Sequence, residues 1–206
     1  LDKVWDAGTA GFKRMLSETD ILSTLDILEE RLDEKGFRAR TMEELEKFEK
    51  VEIVEFSDKY ADAFASLNYQ WIEKFFGVEE HDREQLDDPR RYVIDSGGQI
   101  FFALVDGVAV GTVAMIRLNY ESFELAKMAV DPKFQGFNIG SKLIRECIDF
   151  AKREGMKFIV LESNTKLFPA INLYKKFGFK ETALDPNSPY SRVNIRMELA
   201  IRQSNL

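Results

Sequence analysis

The chain has 206 residues, 45% apolar and 32% charged, with a formal net charge of −7 and a single histidine. That length and apolar share suit one domain with a good core and an appendage. The acidic balance argues against nonspecific nucleic-acid binding, and no apolar run approaches the ~20 residues needed to span a bilayer.

One cysteine, Cys147, excludes an internal disulfide and a cysteine-based zinc site. No signal-peptide pattern follows Leu1, so the expected location is cytoplasmic, without membrane, nucleic-acid or metal partners.

Residues 1–50 differ in pattern from the rest of the chain. Ile21, Leu25, Leu28 and Leu32 recur at helical spacing, with Gly36 as the stop. Thr41-Met42-Glu43-Glu44 is a capping-box start for a shorter helix to about Lys50. The segment holds 13 acidic against 9 basic residues, which argues against a DNA-reading helix. A helical extension packed on its own domain and a dimerisation arm are both open readings.

At Val51 the pattern turns to alternation, and Val51 to Phe56 reads as a strand. Ser57-Asp58 is the expected cap of a helix to about Phe76, with Phe64, Leu67, Trp71, Ile72 and Phe75 on one side. Gly77 closes it, and Glu79 to Asp88 reads as a second, very polar helix ended by Pro89. Gly97-Gly98 is a turn, Gln99 to Val105 a strand, Asp106-Gly107 a hairpin turn and Val108 to Leu118 its partner. An apolar strand from Phe123 to Val130 stops at Asp131-Pro132. The amphipathic helix after it carries Leu143, Ile144, Cys147, Ile148 and Ala151 on its stripe, so the thiol reads as buried and inert. Lys157 to Glu162 is a strand, Leu167 to Phe177 a helix ending at Gly178, and Phe179 to Ala183 and Val193 to Ala200 the last strands. Residues 201–206 form a tail. One βαβ crossover flanked by hairpins predicts an α/β domain over 51–200, a mixed sheet with helices on its faces.

Gln135-Gly136-Phe137-Asn138-Ile139-Gly140 joins the Phe123–Val130 strand to its helix. Small residues let a phosphate approach the backbone, and free N–H groups of the first helical turn point at it, so a pyrophosphate is the natural ligand. Gly136 and Gly140 are four apart and Ser141 precedes Lys142, so neither a Walker loop nor a dinucleotide fingerprint fits. A plain glycine-turned helix start is the alternative.

The same stretch resembles motif A of the GNAT family of N-acetyltransferases, Gln/Arg-x-x-Gly-x-Gly/Ala after a strand and a short Asp-Pro-type turn. Gln135 and Gly140 hold its first and last positions. Asn138 stands where the middle glycine is usual, and Asn is the non-glycine residue most tolerant of left-handed geometry. Pro169-Ala170-Ile171-Asn172-Leu173-Tyr174-Lys175-Lys176-Phe177-Gly178-Phe179 resembles the family's motif B, Ala-x-x-Leu-Tyr-x-Lys-x-Gly-Phe. The resemblance spans roughly Val51 to Ala200. It implies the GNAT fold: a mixed central sheet of six to seven strands with a splay between strands 4 and 5, helices on both faces, and here an N-terminal helical extension.

Acetyl transfer to an amine needs a held thioester, an oxyanion partner, a base for the ammonium and an acid for the leaving thiolate. By resemblance the cosubstrate is acetyl-CoA, whose pantetheine lies along Met128, Ala129 and Val130, with an N–H near Met128 or Ala129 polarising the thioester carbonyl. The pyrophosphate sits on the amides of Gln135, Gly136, Phe137, Asn138, Ile139, Gly140 and Ser141. Tyr174 stands at the motif-B tyrosine, the implied acid, with a packed structural tyrosine as the alternative. Asn164 and Asn172 are polar candidates for the cofactor arm, and Leu167 stands where the family often has Asn. Glu124 falls where one branch of the family carries a glutamate base; a strand glutamate facing solvent or pairing with Arg117 is the alternative. His81 reads as a surface residue, and Trp71, Phe75 and Phe76 as either the wall of an acceptor pocket or core.

The expected function is therefore N-acetylation of a primary amine on a small molecule or peptide, with no metal and no covalent enzyme intermediate. A non-catalytic acyl-CoA-binding module or sensor with a helical interaction arm is the alternative, and homodimerisation is an open expectation.

Overall fold

The computed structural model describes residues 51–202, so the two helices expected within residues 1–50 lie outside the described residues. The strands are Glu52–Glu55 (β1), Gln99–Val105 (β2), Val108–Arg117 (β3), Ser122–Val130 (β4), Phe158–Ser163 (β5), Lys180–Thr182 (β6) and Ile195–Ala200 (β7). They form one sheet in the order β1-β2-β3-β4-β5-β7-β6, and among the described residues only β4 and β5 pair in parallel. The helices are Ala61–Phe75 (α1), Glu80–Asp87 (α2), Ile139–Arg153 (α3) and Phe168–Lys176 (α4). This is the mixed α/β sheet expected from the order of elements.

Alternation along β2 shows how the sheet is covered. Phe101, Ala103 and Val105 pack into one core with Leu143, Ile144 and Cys147 of α3. Ile100, Phe102 and Leu104 pack into another with Phe64 and Ile72 of α1 and Leu86 of α2. Successive strand side chains point to opposite faces, so a strand covered on both sides must be apolar throughout. Truncating a fully buried ring such as Phe102 to alanine costs about 3–5 kcal/mol.

Several boundaries differ from expectation. Ser57 makes no side-chain cap bond; its carbonyl accepts from the Tyr60 N–H at 2.8 Å, and a 3-10 turn over Asp58–Tyr60 precedes α1. After Pro89 the chain makes a wide π turn, Arg90–Ile94, in which the Asp95 N–H donates to the Arg90 carbonyl at 2.9 Å. Phe75, expected on the apolar side of its helix, is 46% exposed.

Two features of β4 set the stage for the site. Its pairing with β5 covers only Ser122↔Phe158, Phe123↔Ile159 and Glu124↔Val160, while β4 runs on to Val130 and β5 to Ser163. From Leu125 onward the parallel neighbours have parted, which is the expected splay. On the other side, Ala126 pairs with Ala114 and Ala129 with Thr112, so Lys127 and Met128 together oppose Val113. That β-bulge puts Lys127 at φ 51, a left-handed conformation costing a non-glycine residue on the order of 1 kcal/mol.

Candidate active site

Where β4 and β5 part, a cavity of about 630 Å³ opens. The splayed half of β4 contributes Met128, Ala129 and Val130, and the loop and first turn of α3 contribute Gln135, Gly136, Asn138, Ile139, Gly140 and Ser141. Glu124, Asn164 and Tyr174 complete the expected residues that line it. Phe137 and Asn172 do not line it, and Asn172 is exposed on α4.

The turn into α3 has the features of an anion cradle. Asn138 is the N-cap at φ 63, ψ 11, the left-handed geometry its side chain tolerates, and Gly136 lies at φ 86. Among the described residues, the amides of Gly136, Asn138, Ile139, Gly140 and Ser141 have no hydrogen-bond partner, and the helix dipole adds its positive end there. The Gln135 side chain donates to the Val130 carbonyl at 3.2 Å, tying the loop to the end of β4. A Cβ on Gly140 would meet Leu173 of α4 at 3.0 Å and Met128 at 3.9 Å, so hydrogen at this position keeps α3, α4 and β4 close. Free amides, a strand edge left open by the splay and a cavity of this volume fit the pyrophosphate and pantetheine of an acyl-CoA.

Tyr174 is buried, packs on Phe179, and its hydroxyl makes no hydrogen bond within the described residues. Burial pushes its phenol well above the usual tyrosine range, so the group stays protonated at neutral pH. Glu124 is half-buried and likewise has no hydrogen-bond or ion-pair partner among the described residues; Arg117 pairs instead with Glu154 at 2.9 Å. Burial first, then the charge of Glu162, raises the Glu124 carboxyl above its ordinary value. Asn164 is engaged with backbone: its amide donates to the Arg192 carbonyl at 2.6 Å, and its oxygen accepts from the Lys166 N–H at 2.9 Å.

A smaller cavity of about 150 Å³ shares Glu124, Glu162 and Tyr190 with the first, and His81, Asp185 and Arg196 line it further out. His81, expected at the surface, bonds Gln85 at 2.9 Å and Glu84 at 3.0 Å, and its ring faces Tyr190. Trp71, Phe75 and Phe76 line the larger cavity.

Beside the larger cavity, which Lys127, Tyr190 and Arg192 line, lies a buried polar cluster that the sequence pattern hides. Asp82, with no exposed surface, accepts from Lys127 Nζ at 2.7 Å and from both terminal nitrogens of Arg192 at 2.7 Å. Lys127 also donates to the Tyr190 hydroxyl at 2.7 Å, which donates to Gln85 at 3.2 Å. The signal available in the sequence was a lysine inside the otherwise apolar run Leu125–Val130, because a buried cation requires a partner.

Residues 65–179 match the model of the acetyltransferase (GNAT) family. An uncharacterised N-acetyltransferase of Schizosaccharomyces pombe is 28% identical over 144 residues, 68% of this chain and 88% of that protein. A probable N-acetyltransferase, camello, of Xenopus tropicalis is 30% identical over 50% of this chain; the match covers 48% of that protein, so the chain spans about half the length of this relative. Among solved structures, a GNAT-family acetyltransferase of Staphylococcus aureus superposes with a TM-score of 0.68 at 24% identity, covering 74% of this chain and 99% of that one. The acetyltransferase yncA of Salmonella typhimurium, solved with its cofactor acetyl-CoA, gives 0.60 at 19% identity, covering 76% and 97%.

Proposed function

The chain belongs to the GNAT family of acetyltransferases, and from that premise we propose that it moves an acetyl group from acetyl-CoA to a primary amine by direct attack. The observation that carries this reading is the placement of two hydrogen-bonding side chains without partners among the described residues, Glu124 from β4 and Tyr174 from α4, on one cavity beside the free amides of the α3 turn.

Each residue then has a task. The amides of Gly136 and Asn138–Ser141 hold the pyrophosphate, and the half of β4 left open on its β5 side aligns the pantetheine, with the backbone near Met128 or Ala129 facing the thioester oxygen. Acetyl-CoA supplies the activated acyl group. Glu124 takes a proton from the incoming ammonium, whose nitrogen forms the new bond to the acyl carbon. As the carbon–sulfur bond breaks, the Tyr174 hydroxyl gives its proton to the sulfur, and the nitrogen sheds its second proton to solvent, from which Tyr174 is reprotonated. Trp71, Phe75 and Phe76 wall the acceptor side, which suits an amine carried on a partly apolar body. Residues 1–50 are proposed as a helical extension to a catalytic domain over 51–200, in a cytoplasmic protein; the acidic balance and the buried lone cysteine support that location.

The test is release of free thiol from acetyl-CoA across polyamines, aminoglycosides, amino acids and peptide N-termini. Release with at least one amine is expected. Acetyl-CoA binding without release from any amine would contradict the proposal.

A further inference from the structure

The cluster around Asp82 takes no part in the acetyl transfer itself, yet it reaches the residue that accepts the proton. Its members come from α2, the bulge of β4 and the loop before β7, and their sequence separations include 45 between Asp82 and Lys127 and 110 between Asp82 and Arg192. In an unbroken strand Lys127 would share a face with Phe123 and Leu125, inside the apolar core against α3. The extra residue of the bulge reverses the alternation: Met128 and Val130 pack on that core instead, and Lys127 turns to the Asp82 side. A left-handed lysine persists only where its surroundings over-determine it, and here two hydrogen bonds of 2.7 Å hold its ammonium.

We propose that Lys127 is a positioning residue for Glu124: tied to Asp82 and the Tyr190 hydroxyl, its ammonium holds the bulge of β4 and fixes a positive charge beside the carboxylate that takes the amine's proton. The proposal rests on the reading of Glu124 as the base. Among the described residues, Glu124 lines the larger cavity with Lys127 of β4, Glu162 of β5 and Tyr190, and the smaller one with His81 of α2, Arg196 of β7 and again Glu162 and Tyr190. Glu162 opposes its ionisation, and Lys127, His81 and Arg196 favour it. Among the three that favour ionisation Lys127 has the largest effect, and its side chain is only 5% exposed, so solvent screens it little. Arg196 is turned to the Thr182 hydroxyl at 3.1 Å. Burial pulls the Lys127 ammonium down from the ordinary lysine range, and the bond to Asp82 opposes that pull. Without this charge, Glu124 would face Glu162 with less to favour its ionisation, and its carboxyl would be raised further.

The experiment tracks the Glu124 carboxyl directly by ¹³C NMR in the full chain, alongside the pH profile of kcat/KM. In Lys127→Met the carboxyl titration and the acidic limb both move to higher pH, by about one pH unit, so that kcat/KM at a given pH on that limb is about tenfold lower. Lys127→Arg keeps the charge and leaves the limb where it is, a rescue that lost packing alone would not give. If Lys127→Met fails to fold, Lys127→Gln, which removes the charge but can still donate a hydrogen bond to Asp82, carries the same expectation. An unmoved Glu124 titration in whichever variant folds overturns the proposal. A moved titration with an unmoved acidic limb upholds the action of Lys127 on Glu124 and overturns Glu124 as the base, so the two readings fail separately.

Discussion

Asp82 Oδ1 stands 2.7 Å from both Lys127 Nζ and Arg192 Nη2, at a point where Asp82 has no exposed surface. Burial alone would raise this carboxyl; hydrogen bonds from Arg192 and Lys127 reverse that and hold it at about 2, against an ordinary value of 3.8. A carboxyl depressed on folding stabilises the fold above its unfolded pKa, and that contribution fades as pH falls through the folded value. Urea unfolding should therefore show about 2 kcal/mol lost between roughly pH 4 and pH 2, beyond the loss in Asp82→Asn. At neutral pH Asp82→Ala should cost about 3–5 kcal/mol, because it leaves two cations without their shared partner. A variant as stable as the wild type would show that the cluster is solvated rather than structural.

Tyr174→Phe tests the acid. The hydroxyl has no partner in the described residues, so its removal leaves the packing against Phe179 intact and should cost little stability. Loss of a positioned proton donor should lower kcat about a hundredfold while the calorimetric affinity for CoA stays within about twofold. An unchanged kcat would assign the proton to water.

Glu124→Gln tests the base. Its carboxyl is raised by burial and by Glu162, so the wild-type rate should climb with pH through the range in which Glu124 ionises. The variant should lose that rising limb and about a hundredfold in kcat/KM. A persistent limb at the same midpoint would place the base elsewhere.

Gly140→Leu tests the cradle. A Cβ there meets Leu173 at 3.0 Å, so a larger side chain must push α4 away or fill the cavity where β4 and α3 meet. CoA affinity should fall at least tenfold by calorimetry, with the thermal transition still cooperative. Unchanged affinity would move the pyrophosphate away from the α3 turn.

The strand, Asp-Pro turn and helix that build the cradle were legible because each rests on local pattern. β4 ends at Val130, α3 starts at Ile139, and Asn138 takes the left-handed turn that its side chain tolerates. Tyr174 was legible because a tyrosine before a glycine-ended helix belongs to a recognisable motif. Lys127 was not, because a period-two reading carries one parity through a strand and a single bulge residue inverts it. Asp82 sat in a helix whose polarity reads as solvent exposure, and its partners lie far away in sequence. Asn172 shows the opposite failure: two residues before Tyr174 on α4, it lies ~200° around the helix and faces away from the cavity.

The most direct measurement is transfer of a radiolabelled acetyl group from acetyl-CoA in the presence of an amine that releases thiol, with rapid quenching and separation of protein from small molecules. Direct attack predicts that label appears in the amine in step with free thiol and at no time on the protein. Label held on the protein before it reaches the amine would contradict the account, as would acetyl-CoA binding with no amine labelled.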